Sequence, residues 1–219
     1  MLTPFYDWLG KRSYAQSGED IVADIVLGKK RKGIYIDVGA FHPKLFSNTY
    51  LFYKRGWSGV VVEPRPEARG EFERVRPRDK FVGMGVGAKK DVLTYYEFAD
   101  GAANTFSKLQ AKNNEKIAGR KLKKTINVAV MPLRDILASN NMEGVAIDLL
   151  SVDVEGMDAE VLSSNDWEKF RPKVVIAEDL DFDFEKPKKS AVVKYLMSLG
   201  YLLVAKTPYS LVFVDSKNK

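Results

Sequence analysis

The chain has 219 residues, 45% of them hydrophobic and 29% charged, which is the length and composition of one globular domain. The absence of cysteine excludes disulfides, thiolate metal sites and cysteine nucleophiles, and no apolar run approaches the roughly 20 residues that span a bilayer. The formal net charge of +6 comes from short, scattered basic clusters without interleaved aromatic residues, a pattern that argues against a nucleic-acid partner.

The first predicted elements are a loosely attached arm, residues 1–12, and a helix within residues 13–28. Ser17 is the predicted N-cap of this helix. The first strand, residues 33–38, is apolar at nearly every position, which predicts a parallel sheet with helices on both faces. Alternation then continues, with predicted helices at 45–55 and 66–77 and predicted strands at 59–64, 80–86 and 92–98, the last at a sheet edge.

The second half of the chain repeats this alternation. Strands are predicted at 126–130, 147–156, 173–179, 201–205 and 210–214, and helices at 132–139, 157–164 and 188–199. Strands and helices that alternate in this way indicate a doubly wound α/β sheet. The last two strands have only a short connection, residues 206–209 with Pro208, which predicts an antiparallel hairpin at one edge.

One segment does not fit the alternation. Residues 99–125 are polar, rich in lysine and long for a connection, which predicts a lid or a mobile insertion. No linker divides the chain, so residues 13–219 are predicted to form a single domain.

The first strand ends in a carboxylate and a flexible turn, Asp37 followed by Gly39 and Ala40. Ligands of open parallel sheets bind at the carboxyl ends of the strands, and a glycine there lets the backbone approach the ligand closely. The second strand ends in Glu63, where a carboxylate can accept hydrogen bonds from a ribose diol. Gly39 and Glu63 together predict a site for a cofactor that carries adenosine.

The loop after Gly39 helps to choose between cofactors. It lacks the second and third glycines of a dinucleotide-binding loop and instead carries Phe41-His42-Pro43, which would obstruct a pyrophosphate. S-adenosylmethionine has no phosphate, and Asp37 can hold its ammonium group. Two alternatives stay open, a nicotinamide-dependent oxidoreductase and a methyltransferase-like binding protein without catalysis.

Several blocks in one order resemble the FkbM family of S-adenosylmethionine-dependent methyltransferases. They are YAQSGEDIV (14–22), YIDVGA (35–40), SNTYLFYKRGWSGVVVEPRPE (47–67) and DLLSVDVEGMDAEVL (148–162). The resemblance implies a Rossmann-like methyltransferase fold, with a mostly parallel seven-stranded sheet, and O-methylation of a sugar or natural product. The cofactor-binding residues that we predict are Asp37, Gly39, Ala40, Phe41, Glu63, Pro64, Gly85 and Val86.

Within this resemblance, the cofactor's amino-acid end lies near Asp37 and Gly39, its ribose on Glu63, and its adenine near Gly85 and Val86. One departure concerns the loop after Ala40, where the family often has Asn-x-Gly and this chain has Phe41-His42-Pro43. This departure changes the floor of the predicted cofactor pocket.

Methyl transfer to a hydroxyl needs a base or a metal. The candidates at or beyond strand ends are Asp153, Glu155, His42 and Glu178. Alternation would direct Asp153 and Glu155 to one face if their strand continues that far, which makes them a candidate pair for substrate or a divalent metal. The alternative is that both acids only stabilise the start of the following helix. His42 is a candidate base, although a histidine beside proline is more often a packing residue.

The expected partners are a small-molecule or glycan acceptor and no membrane. The first residues have an acid within their apolar part and no basic segment before it, unlike a secretory signal. Together with the absence of cysteine, this favours a cytoplasmic protein.

Overall fold

The computed structural model describes residues 12–116 and 120–218. The α-helices are α1 (Glu19–Val26), α2 (Tyr50–Lys54), α3 (Ala68–Val75), α4 (Lys108–Glu115), α5 (Leu133–Ser139), α6 (Asp158–Ser163) and α7 (Ala191–Ser198). The strands are β1 (Ile34–Val38), β2 (Ser58–Val62), β3 (Lys80–Val82), β4 (Gly85–Val86), β5 (Asp91–Phe98), β6 (Leu122–Met131), β7 (Leu149–Val152), β8 (Val174–Glu178), β9 (Tyr201–Lys206) and β10 (Ser210–Asp215). Short 3₁₀ turns lie at Pro187–Lys189 and Ser216–Asn218.

The main sheet has seven strands in the order β3-β2-β1-β7-β8-β10-β9. Its strands are parallel except for β10, which pairs antiparallel with both β8 and β9. The predicted fold class, a Rossmann-like, mostly parallel seven-stranded sheet with an antiparallel C-terminal hairpin, is therefore confirmed. The strand order reverses between β1 and β7, so the carboxyl ends of these strands border the crevice where ligands of such sheets bind.

The sheet is buried on both faces, as the continuous apolar run of β1 predicts. Ile36 and Val38 pack in the cluster on one face, and Tyr35 packs in the cluster on the other. Asp37 alternates onto the same face as Tyr35, which explains why its carboxylate is buried within the fold.

The predicted third strand, 80–86, differs from the structure. It divides at Gly83 and Met84, so that β3 joins the main sheet and β4 joins a second sheet of three strands, in the order β4-β6-β5. The predicted edge strand at 92–98 belongs to this second sheet as β5, paired antiparallel with the long β6. A continuous apolar pattern cannot reveal this division, because both halves are suited to a strand.

The start of the first helix also differs from its prediction. The N-cap is Gly18, with a φ of 86°, and no side chain caps the helix. The Ser17 backbone amide donates to Glu19, and the Asp20 carboxylate accepts from the Ser13 hydroxyl and the Tyr14 amide. The Ser17 cap is therefore wrong, and Asp20 instead holds the segment that leads into the helix.

The polar segment 99–125 contains regular structure. It includes α4, which Ser107 caps by accepting a hydrogen bond from the Gln110 amide, and the first residues of β6. The role of this segment as a lid stays a prediction. The predicted arm, residues 1–12, lies outside the described residues except for Arg12. Among the helices of the described ranges, none has the length and hydropathy needed to cross a bilayer.

A buried arginine lies beneath β1. The Arg76 side chain is 1% exposed, and its Nε donates to Asp79 over 2.6 Å. Its Nη2 donates to the Thr49 hydroxyl over 2.9 Å, and its Nη1 lies 3.9 Å from Asp37 Oδ2. The guanidinium also lies over the ring of Tyr35, 5.3 Å from its centroid. Arg76 therefore offsets two carboxylates that the fold buries.

Candidate active site

A cavity of about 140 Å³ opens at the carboxyl ends of β1, β2, β7 and β8. Eight of the predicted site residues line it: Gly39, Phe41, Glu63, Pro64, Gly85, Val86, Asp153 and Glu155. Glu178, the further sequence candidate for the base, lines it too. Three predicted residues, Asp37, Ala40 and His42, are not among its lining residues. The structure thus brings eight of the eleven predicted site residues to one cavity.

Gly39 allows the turns after β1 and β7 to approach each other. Its φ of 77° lies in the left-handed region, and a Cβ there would lie 1.8 Å from the Asp153 carbonyl oxygen. The Gly39 amide donates to Val62 on β2, and the Asp153 amide donates to Val38 on β1. No residue with a side chain fits this position, because the turn after β7 occupies the space that a Cβ would fill.

Glu63 holds the loop after β1. It is 3% exposed, and its two carboxylate oxygens accept from the Phe41 and Arg65 amides, each over 2.9 Å. Phe41 has a φ of 50°, and the Arg65 guanidinium donates to its carbonyl oxygen. Burial raises the pKa of Glu63 to about 7. Each carboxylate oxygen can accept a second hydrogen bond, so the pair of hydroxyls of a ribose fits this group.

Asp37 and His42 make contacts within the fold. The Thr49 hydroxyl donates to Asp37, whose pKa burial raises. His42 Nδ1 accepts from the Lys44 and Leu45 amides, over 3.0 and 2.9 Å. A neutral imidazole with Nδ1 as acceptor carries its proton on Nε2 and offers no free lone pair. Burial lowers the pKa of His42, which favours this neutral form. The His42 ring therefore stabilises the turn that contains Lys44 and Leu45.

Three carboxylates meet in the wall of the cavity. Asp153, Glu155 and Glu178 each place one oxygen within 4.8 Å of the others. Because β7 ends at Val152, strand alternation does not pair the two acids as the sequence suggested. The turn after β7 does so, with Glu155 at a φ of 52°. These three residues form the acid cluster, and their oxygens are of the kind that Mg²⁺ and Ca²⁺ prefer.

Each member of the acid cluster holds its proton more tightly than an exposed carboxyl group. Burial raises the pKa of Asp153 to about 7, and the charge of Asp37 adds to this. Burial raises the pKa of Glu155 to about 7, and the charge of Asp153 adds to this. Burial also raises the pKa of Glu178, as do the charges of Asp153 and Glu155. A pKa near 7 suits a general base that works at neutral pH.

We expect Glu178→Gln to gain stability relative to the parent protein as the pH rises from about 5 to about 9. Because the folded-state pKa of Glu178 is raised, the folded parent binds more protons than the unfolded chain, and its stability falls as the pH rises. Glutamine does not ionise, so Glu178→Gln removes this loss of stability at high pH. Urea unfolding at several pH values measures the difference, with Glu168→Gln as an exposed control. A constant difference between Glu178→Gln and the parent would contradict the raised pKa.

Sequence reasoning did not identify the side chains that the second sheet contributes. Tyr95 of β5, with Asn104, Thr105 and Phe106 of the following loop, lines the cavity. Arg120 also lines the cavity, and its Nε lies 3.5 Å from Asp100 Oδ2. The aromatic residues of β5 were visible in the sequence, but no spacing linked them to Gly39 or Glu63.

Comparisons with known proteins relate this chain to one family and to several solved structures. The family model described as Methyltransferase FkbM domain matches residues 37–203. Among solved structures, a precorrin-6y C5,15-methyltransferase from Geobacter metallireducens GS-15 is 12% identical, with a TM-score of 0.41, over 90% of this chain and 88% of that one. An O-methyltransferase from Bacillus cereus in complex with SAH is 11% identical, with a TM-score of 0.43, over 96% and 86%. Similarity at this level says nothing about what this chain binds. The comparison with curated proteins gives no significant match.

Proposed function

We propose a function from the premise that this chain belongs to the methyltransferase FkbM domain family. The chain transfers a methyl group from S-adenosylmethionine to a hydroxyl of a sugar or natural product. The observation that carries the proposal is one cavity that contains the Gly39 turn, the Glu63 carboxylate and the acid cluster. Gly39 lines this cavity at the turn after β1, and Glu63 retains acceptor sites for a ribose diol.

S-adenosylmethionine supplies an activated methyl group on a sulfonium, which is a good leaving group. The protein therefore has two tasks, to orient the acceptor hydroxyl and to remove its proton. Asp153 suits the second task, because its backbone lies against Gly39 and its pKa is raised to about 7. Glu155 and Glu178 lie close enough to share the proton or to hold the acceptor's other hydroxyls. A divalent cation at the acid cluster would serve the same end by lowering the pKa of the acceptor.

Isothermal titration calorimetry tests the first requirement of this proposal, which is that the protein binds the methyl donor. The protein should bind S-adenosylmethionine and S-adenosylhomocysteine and show no preference for NAD. Tight binding of NAD, with no heat from either methyl-cofactor form, would overturn the proposal in favour of an oxidoreductase. Binding of neither class would favour a protein that keeps the fold without the reaction. The acceptor class and the cytoplasmic location stay proposals that separate assays must test.

Glu63→Ala is expected to weaken S-adenosylhomocysteine binding by about 10- to 150-fold, because a hydrogen bond to a charged group contributes roughly 1.5–3 kcal/mol. Calorimetry at pH 8 measures the loss, since the carboxyl group with a pKa of about 7 is mostly ionised there. Affinity of the parent should also rise between pH 6 and 8 as Glu63 loses its proton. Glu73→Ala, an exposed change on α3, serves as the control. An unchanged dissociation constant for Glu63→Ala would place the ribose elsewhere.

A further inference from the structure

The turn after β7 has two successive residues in the left-handed region, Glu155 with a φ of 52° and Gly156 with a φ of 93°. Glycine adopts this conformation freely, whereas a residue with a Cβ adopts it at a cost in free energy. Such a conformation persists only where the surrounding structure stabilises it. In this turn it accompanies the position of the Glu155 carboxylate within the acid cluster. A contact outside the turn is therefore needed to keep Glu155 in place.

Thr105 makes such a contact. Its hydroxyl donates to the Glu155 carbonyl oxygen over 2.9 Å and accepts from the Ser107 amide over 2.9 Å. A hydroxyl has a single proton, so the Ser107 amide directs that proton away from itself and towards Glu155. Thr105 is 1% exposed, so water has little access to either hydrogen bond. The hydroxyl thus links the loop after β5 to the turn after β7.

The second sheet and α4 fix the position of this hydroxyl. The backbone amide and carbonyl of Thr105 pair with Tyr96 of β5, over 3.2 and 2.9 Å. Ser107 is the N-cap of α4, and Gln110 of this helix lies against the same turn, 3.8 Å from where a Cβ on Gly156 would be. Elements outside the main sheet therefore determine the conformation of a turn that belongs to it.

We infer that Thr105 is a positioning residue for the acid cluster. Its hydroxyl keeps Glu155 in the left-handed conformation that directs the carboxylate towards the other two members of the cluster. The consequence for catalysis rests on the proposed function, because it assumes that the acid cluster takes part in methyl transfer. Thr105 acts through Glu155 and needs no contact with cofactor or acceptor, since its hydroxyl proton is already donated.

The first test compares crystal structures of Thr105→Val and Thr105→Ser. Valine keeps the shape of threonine and removes the hydroxyl, whereas serine keeps the hydroxyl and removes the methyl group. We expect Thr105→Val to lose the left-handed φ at Glu155 and to place its carboxylate outside the acid cluster. Thr105→Ser should retain both features. Thr94→Val makes the same change at an exposed position of β5 and should leave the turn as it is in the parent.

The second test measures the formation of S-adenosylhomocysteine from S-adenosylmethionine with an identified acceptor. The kcat of Thr105→Val should fall by about 10- to 100-fold, the effect of a small misplacement of a reacting group. Its KM for S-adenosylmethionine should not change, because the hydroxyl is used within the protein. Thr105→Ser should recover most of the lost rate. Equal losses in both variants would overturn the inference, since the hydroxyl would then be irrelevant.

The outcomes separate this inference from the proposed function. If Glu155 keeps its conformation and place in Thr105→Val, the inference is overturned whatever the activity. A displaced Glu155 with an unchanged kcat would overturn it as well, because neither residue would then serve the reaction. If the parent binds no S-adenosylhomocysteine, the proposed function fails, and the crystal structures still decide whether Thr105 positions Glu155. Should Thr105→Val not fold, Thr105→Ala replaces it under the same criteria, since alanine places no methyl group against the two backbone partners.

Discussion

Asp153→Asn is expected to reduce methyl transfer by about 10²- to 10⁴-fold while cofactor binding is retained, which is the range that loss of a general base produces. Asparagine keeps the volume of the side chain and removes the carboxylate that accepts the proton. The variant should be at least as stable as the parent at pH 8, because burial penalises the ionised form of Asp153. The measurements are turnover with an identified acceptor, S-adenosylhomocysteine affinity by calorimetry, and urea unfolding.

The comparison that decides the identity of the base is made with His42→Ala and Glu155→Gln across about pH 6–9. His42→Ala should retain activity and its pH dependence, since Nδ1 accepts two backbone amides and the ring does not line the cavity. The assignment is wrong if His42→Ala loses the activity while Asp153→Asn and Glu155→Gln remain active.

A chelator titration in the same assay distinguishes two uses of the acid cluster. Activity that survives chelation indicates direct proton removal by a carboxylate. Activity that is lost with the chelator and restored by Mg²⁺ or Mn²⁺ indicates a cation held by Asp153, Glu155 and Glu178, whose oxygens lie within 4.8 Å of one another.

Arg76→Met is expected to lower the free energy of unfolding by about 3–5 kcal/mol, the usual cost when one partner of a buried ion pair is removed. Methionine fills much of the same space but leaves Asp37 and Asp79 buried without their cation. Urea unfolding near pH 7 measures the change. Arg74→Met makes the same substitution at an exposed position of α3 and should change stability by less than about 0.5 kcal/mol.

A second variant separates charge from hydrogen bonding in this network. Arg76→Lys keeps the positive charge but cannot reproduce the contacts of the guanidinium with Thr49 and Asp79. It should therefore be less destabilising than Arg76→Met. Equal stability of Arg76→Met and the parent would mean that the buried carboxylates hold protons and need no cation.

Patterns local in sequence predicted the main sheet and most of the candidate residues that line the cavity. The continuous apolar run of β1 predicted burial on both faces, and the short connection at Pro208 predicted the C-terminal hairpin, because each depends only on nearby residues. Gly39 and Glu63 were found in the same way, since the residues that end parallel strands meet at one edge of the sheet.

Only the tertiary structure decided which distant side chains meet. The division of 80–86 into β3 and β4, the burial of Arg76, and the position of Asn104 in the cavity wall all depend on pairing between segments far apart in the chain. Arg76 lies in a polar stretch that is suited equally to solvent, and its burial follows from the carboxylates of Asp37 and Asp79 that the fold encloses. Local patterns carry no information about such meetings, because strand order and register determine them.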